Sequence, residues 1–287
     1  MEIIVGENAG FCYGVKNAVT KSEEQLKEYK EIDCLGELVH NGEVINKLEK
    51  LGLRVIDNIE DARNKIIIRA HGISKDIYNK ANKLGIEVFD YTCPNVLKIH
   101  KIAEEYALKD YFIFLIGNKE HPETIGTISF CGDKACIIEK EDEIESAIKE
   151  LKKSNAKSLL IIVQTTFSLE KFEKVVENVK DKLDTSISIE VKNTICNATR
   201  IRQIETDEIS KRVHCMIIIG GKNSSNTKKL YEIANKNCDN VIMIENYSEL
   251  NIEQIKQFEK IGIMAGASTP QESINEVINV LKIKKSE

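Results

Sequence analysis

Three cysteines occupy the same kind of corner in this chain, each between a short apolar run and a stretch with helical periodicity. They are Cys12 in Gly-Phe-Cys-Tyr-Gly, Cys93 in Thr-Cys-Pro-Asn and Cys196 in Thr-Ile-Cys-Asn-Ala-Thr. A polar residue follows 28 positions after each cysteine, again just beyond an apolar run: His40, His121 and Ser224. This recurrence predicts three copies of one structural unit.

A second polar position recurs further along the repeat. Thr165 and Ser268 lie 72 residues after Cys93 and Cys196, and His71 takes the corresponding place 59 residues after Cys12. All of these residues come directly after predicted strands. Because open α/β sheets bind ligands at the carboxyl ends of their strands, the repeat predicts a shared polar binding site.

Short apolar runs alternate with longer amphipathic segments throughout, which is typical of an α/β protein with mostly parallel sheets. Helical segments are predicted at 15–29, 97–109, 168–182 and 200–212. The twelve predicted strands are 3–5, 34–39, 53–56, 66–69, 86–89, 112–116, 136–139, 159–164, 187–191, 215–219, 241–244 and 261–264.

The third copy of the repeat contains only three strands of its own, so the N-terminal strand is its natural fourth member. We therefore expect three similar α/β domains around a pseudo-threefold centre, with the third domain completed by the start of the chain. The predicted domains are 14–93, 94–192, and 193–281 together with 1–13, followed by a tail at 282–287.

Charge and hydropathy exclude several classes of partner. The 287 residues carry a net charge of −5, which gives no electrostatic footprint for nucleic acid or for an anionic membrane surface. No run reaches the 18 or so apolar residues of a membrane helix, and the N-terminus does not resemble a secretory signal. A cytoplasmic protein is expected, and its eight cysteines then favour metal or redox chemistry over disulfides.

The three repeated cysteines are the candidate metal ligands. Each is predicted at a helix N-terminus, where backbone N–H groups and the helix dipole favour a thiolate. Three thiolates fit either a zinc ion or an iron–sulfur cluster with one iron left open to substrate. The remaining cysteines are expected to pack as small apolar side chains: Cys34, Cys131, Cys136, Cys215 and Cys238.

In order along the chain, nine motifs resemble the LytB/IspH family of 4-hydroxy-3-methylbut-2-enyl diphosphate reductases. They are Gly-Phe-Cys-Tyr-Gly-Val, Leu-Val-His-Asn, Ala-His-Gly, Thr-Cys-Pro, His-Pro-Glu, Gln-Thr-Thr, Ile-Cys-Asn-Ala-Thr-Arg-Ile-Arg-Gln, Lys-Asn-Ser-Ser-Asn and Ala-Gly-Ala-Ser. The resemblance covers residues 10–268. It implies a trefoil of three α/β domains around a central iron–sulfur cluster, in agreement with the repeat.

The resemblance also implies a role for each repeated residue. Cys12, Cys93 and Cys196 would hold a 4Fe–4S cluster with one open iron, and Glu123 would deliver the proton. The electron donor would be a ferredoxin or a flavodoxin. The substrate would be a diphosphate surrounded by His40, His71, His121, Thr165, Ser224, Ser225, Asn226 and Ser268.

Plainer interpretations exist for several of these residues. Ser-Ser-Asn at 224–226 is a common helix N-cap sequence, and Glu123 could be a solvated acid after a proline. Two other functions share the cysteine pattern: a non-catalytic iron–sulfur carrier or redox sensor, and a zinc-dependent phosphoester hydrolase. The reductase is the prediction because the nine motifs occur together and in order, and because a carrier would need neither His-Pro-Glu nor Ser-Ser-Asn.

Overall fold

The computed structural model describes residues 1–283, in which strands and helices alternate almost throughout. The strands are β1 (Glu2–Val5), β2 (Ile32–Leu35), β3 (Leu53–Ile56), β4 (Lys65–Ile68), β5 (Glu87–Asp90), β6 (Phe112–Ile116), β7 (Ala135–Ile138), β8 (Ser158–Val163), β9 (Ser188–Val191), β10 (Cys215–Ile219), β11 (Val241–Ile244) and β12 (Lys260–Ala265).

The helices follow the strands in the expected places. They are α1 (Tyr13–Tyr29), α2 (Gly42–Lys50), α3 (Lys75–Lys83), α4 (Pro94–Leu108), α5 (Pro122–Ile128), α6 (Ile144–Lys153), α7 (Leu169–Lys182), α8 (Asn197–Ser210), α9 (Ser225–Ala234), α10 (Ile252–Ile255) and α11 (Gln271–Ile283), with 3₁₀ turns at Ile59–Asp61, Glu141–Glu143 and Tyr247–Glu249. No helix among them is long and apolar enough to cross a membrane.

The strands form three four-stranded sheets in which every pairing is parallel. Their orders are β3-β2-β4-β5, β7-β6-β8-β9 and β1-β12-β10-β11. In each sheet the edge strand β5, β9 or β1 leads directly into one of the three repeated cysteines. The prediction of three α/β units with parallel sheets is therefore confirmed.

The inner strands are mostly apolar because helices cover both faces of each sheet. Phe112–Ile116 is buried at every position. On one face of this sheet lie Leu151 of α6 and Phe172 of α7, and on the other lie Ile99 and Ala103 of α4. This two-sided burial fixes the carboxyl ends of the strands, from which the polar loops emerge.

Contacts in space between Cα atoms group the chain into two compact units. The terminal unit contains Met1–Lys16, Val39–Leu48 and the described residues from Asn197 onward, and the central unit contains Asn17–Leu38 and Glu49–Cys196. The terminal unit holds the sheet with β1, and the central unit holds the other two sheets. The boundaries 14–93, 94–192 and 193–281 plus 1–13 stay a prediction, and residues 284–287 of the predicted tail lie outside the described residues.

One predicted strand differs clearly from the observed one. The strand expected at 34–39 runs instead from Ile32 to Leu35. Gly36 follows with a φ of +70°, a left-handed conformation that turns the chain out of the sheet. Leu38 and Val39 are buried although they belong to the loop, so their apolar character reflects packing rather than strand pairing.

Candidate functional site

The three repeated cysteines share one local geometry. Each is a half-buried cysteine at the start of a helix. The backbone N–H of Cys12 donates to Ala267 O at 3.1 Å, that of Cys93 to Ala70 O at 3.0 Å and that of Cys196 to Thr165 O at 3.0 Å. Every one of these bonds ties a cysteine to the loop after the neighbouring strand, which also carries a predicted substrate residue.

The other five cysteines differ from this set, as predicted. Cys34, Cys131, Cys215 and Cys238 are buried, and Cys136 packs against the apolar core beside β6. Burial raises the pKa of the Cys34, Cys131, Cys136 and Cys215 thiols to about 12, so these thiols stay protonated. The half-buried cysteines at the helix starts are thus the thiols whose surroundings fit a metal or cluster.

Glu123 is the buried acid of the central unit. Its side chain is 2% exposed and accepts two hydrogen bonds from Thr165, one from the backbone N–H and one from Oγ1, both at 2.6 Å. Burial raises the pKa of its carboxyl from 4.5 to about 7, although the Thr165 hydrogen bonds pull it down. A carboxyl with this pKa can hold a proton near neutral pH and release it, as a general acid must.

This carboxyl predicts an unusual pH dependence of stability. Because the folded pKa is raised, the contribution of Glu123 is present below pH 4.5 and is lost as the pH rises through 7, by about 3 kcal/mol. The Glu123→Gln variant should therefore become more stable relative to the wild type between pH 5 and 8. Urea unfolding midpoints of the two proteins, compared across this pH range, measure this. A difference that does not change with pH would show that Glu123 has an ordinary pKa.

His121 precedes this acid and caps α5. Its Nδ1 accepts a hydrogen bond from the Glu123 backbone N–H at 3.1 Å, so that nitrogen carries no proton and the ring proton lies on Nε2. The imidazole rings of His71 and His121 pack edge to face, with their centroids 5.4 Å apart. The central unit thus brings together His71, His121, Glu123 and Thr165.

In the terminal unit, Ser224 caps α9 and Asn226 lies in its first turn. The Ser224 hydroxyl oxygen accepts from Thr227 N at 3.3 Å, which leaves its O–H free to donate. Asn226 is 3% exposed, and neither its Nδ2 nor its Oδ1 has a hydrogen-bond partner. A buried amide without partners is costly, and an anionic group bound there would satisfy its N–H donors.

Two further predicted residues lie beside this helix start. The Ser268 hydroxyl donates to the backbone carbonyl of His40 at 3.1 Å. Gly221 approaches the same carbonyl so closely that a Cβ there would lie 2.5 Å from it. The terminal unit therefore brings together Cys12, His40, Ser224, Ser225, Asn226 and Ser268.

Two threonines in the first turns of α5 and α9 do not stand out in the sequence analysis. Thr124 and Thr227 are buried, and each lies 31 residues after a repeated cysteine. A Cβ at Gly117 would lie 2.8 Å from the Thr124 hydroxyl, and one at Gly220 would lie 2.5 Å from that of Thr227. The glycines after β6 and β10 leave room for these hydroxyls. The signal in the sequence that identifies both threonines is their shared distance of 31 residues from the repeated cysteine.

Known proteins resemble this chain over its whole length. The family profile described as LytB protein matches residues 3–282. The 4-hydroxy-3-methylbut-2-enyl diphosphate reductase of Caldanaerobacter subterraneus subsp. tengcongensis is 43% identical over 100% of this chain and 99% of its own length.

Two solved structures have the same fold. The E-1-hydroxy-2-methyl-but-2-enyl-4-diphosphate reductase of Plasmodium falciparum aligns with a TM-score of 0.89 and 32% identity, covering 98% of this chain and 88% of its own. A structure of (E)-4-hydroxy-3-methyl-but-2-enyl diphosphate reductase, described as the terminal enzyme of the non-mevalonate pathway, aligns with a TM-score of 0.71 and 37% identity. That alignment covers 99% of this chain and 100% of the other.

Proposed function

Because the chain belongs to the LytB family, we propose that it converts 4-hydroxy-3-methylbut-2-enyl diphosphate to isopentenyl and dimethylallyl diphosphates. The reaction breaks an allylic C–O bond, consumes two electrons and two protons, and releases water. It is the last step of the non-mevalonate route to isoprenoids. The observation in the structure that carries the proposal is the buried Glu123 carboxyl, with its pKa of about 7, held by Thr165.

Members of this family use a 4Fe–4S cluster, and Cys12, Cys93 and Cys196 would hold it here through three thiolates. When bound, the cluster would supply electrons and, at an iron left without a cysteine ligand, a Lewis acid for the substrate hydroxyl. The half-buried thiols and their matching backbone hydrogen bonds support this assignment.

The chain itself supplies the proton to the departing hydroxyl. Hydroxide is a poor leaving group, and protonation by Glu123 lets it leave as water. Thr165 holds both carboxyl oxygens of Glu123, which fixes the direction in which the proton is presented. His121 accepts a hydrogen bond from the Glu123 backbone through Nδ1, so its ring proton lies on Nε2, from which it would donate to the substrate.

The diphosphate would be bound by donors from the polar loops. The Ser224 hydroxyl, the unsatisfied Asn226 amide and the start of α9 offer N–H and O–H groups to an anion. We assign Ser225 and Ser268 to the same group, with His40 and His71 adding positive charge when protonated. Ser224 can serve as N-cap and as ligand together, because capping uses only its oxygen lone pair.

An anaerobic assay tests this function. Iron-replete protein, given a reduced one-electron donor and 4-hydroxy-3-methylbut-2-enyl diphosphate, should form both products. Purification without oxygen should give a brown protein containing iron and sulfide. A colourless protein with stoichiometric zinc would favour a hydrolase, and an iron–sulfur protein that forms no product would favour a carrier or sensor.

We further propose that the protein works in the cytoplasm and takes its electrons from a ferredoxin or a flavodoxin. The net charge of −5 supports the absence of a nucleic-acid partner. Reconstitution with each purified donor protein would identify which one supports turnover.

A further inference from the structure

Arg69 is a cation that forms no ion pair within the central unit. It follows β4 directly, and its backbone carbonyl accepts from Gly72 N at 3.0 Å, which closes a tight turn around His71. The side chain is half-buried, and its Nε is inaccessible and has no hydrogen-bond partner. Within residues 1–283, its guanidinium forms no ion pair.

The chain is shaped to accommodate this guanidinium. Gly36, at a φ of +70°, lies beside it, and a Cβ there would come within 2.2 Å of Arg69 Nη1. The neighbouring Cys34 thiol cannot neutralise the charge, since burial raises its pKa to about 12. The negative charge of Glu37 raises the Arg69 pKa, but burial has the larger effect and lowers it.

A half-buried charge that lacks a close partner costs free energy unless an anion compensates it. Arg69 stands at the carboxyl end of a parallel strand, where α/β sheets bind ligands, and two residues before His71. We propose that Arg69 is a further substrate-binding residue, whose permanent charge attracts and holds the anionic diphosphate. This inference rests on the proposed function, because it takes the diphosphate as the anion.

The test compares three variants of the iron-replete enzyme. Arg69→Gln removes the charge but keeps a polar side chain, and Arg69→Lys keeps the charge. Arg63→Gln is the matched control, because Arg63 lies before the same strand, is exposed and pairs with Glu31 on the surface. For each protein we would measure kcat and KM for 4-hydroxy-3-methylbut-2-enyl diphosphate, and inhibition by inorganic pyrophosphate, at low and high salt.

Arg69→Gln should raise both KM and the inhibition constant of pyrophosphate about tenfold, as expected for one lost charge at a partly buried site. Its KM should also depend less on salt, while kcat changes little. Arg69→Lys should recover most of the affinity, and Arg63→Gln should match the wild type.

Unchanged constants in Arg69→Gln would overturn the proposal, as would an equal loss of affinity in Arg69→Lys or Arg63→Gln. Failure of the proposed function is a separate result, because the wild type would then form no product. Calorimetric binding of pyrophosphate to the same variants would still test Arg69 in that case.

Discussion

Turnover of the Glu123→Gln variant should fall by about 10²- to 10⁴-fold, the usual contribution of a general acid. Glutamine has nearly the same shape and can still accept the hydrogen bond from Thr165 N, but it has no proton to give. Burial raises the pKa of Glu123 to about 7, so the wild-type carboxyl can carry that proton near neutral pH. Steady-state kinetics under anaerobic conditions measure the loss.

The same variant should keep its cluster and its affinity for substrate. Iron content and pyrophosphate binding should therefore match the wild type, which separates loss of acid catalysis from loss of structure. Glu120→Gln is the matched control, since Glu120 is an exposed carboxylate in the turn just before α5. Turnover within a few-fold of the wild type in Glu123→Gln would assign the proton to another group.

The fold could be predicted because parallel strands are buried on both faces and so appear as continuous apolar runs. Strands 112–116 and 215–219 have the predicted bounds. The strand at 34–39 was misplaced because apolar residues also pack in loops, and only the left-handed Gly36 marks where pairing stops. Likewise, nothing in the sequence shows that Val39–Leu48 packs within the terminal unit while the strands on either side do not.

The candidate site was predictable where the repeat displays it. The 28-residue echoes identify His40, His121 and Ser224 without any structure. Arg69 could not be found in this way, because what distinguishes it is the absence of a counterion, a property of its three-dimensional surroundings. The acidity of Glu123 is similar: the sequence supplies the carboxyl, but its desolvation depends on how Thr165 and the strands enclose it.

Replacing any one of Cys12, Cys93 and Cys196 by serine should lower turnover by at least about 100-fold. Even mutation of residues that only hydrogen-bond to a metal's ligands lowers metal affinity or activity by about 10- to 100-fold. Each cysteine stands at the start of a helix and is fixed by its own backbone hydrogen bond. Another cysteine therefore cannot move in to supply the missing thiolate. Iron and sulfide content of anaerobically purified protein, together with its visible absorption, should fall in parallel with activity.

Cys136→Ser is the matched control, because Cys136 is also a half-buried free cysteine but lies in β7, away from the helix starts. This variant should keep its iron, and any effect should appear only in its urea midpoint. The loss of cluster should be equal at all three repeated cysteines because the repeat gives them equal geometry. If one of these serine variants retains full iron and turnover, that cysteine is not a cluster ligand. The proposal that all three repeated cysteines hold the cluster would then be wrong.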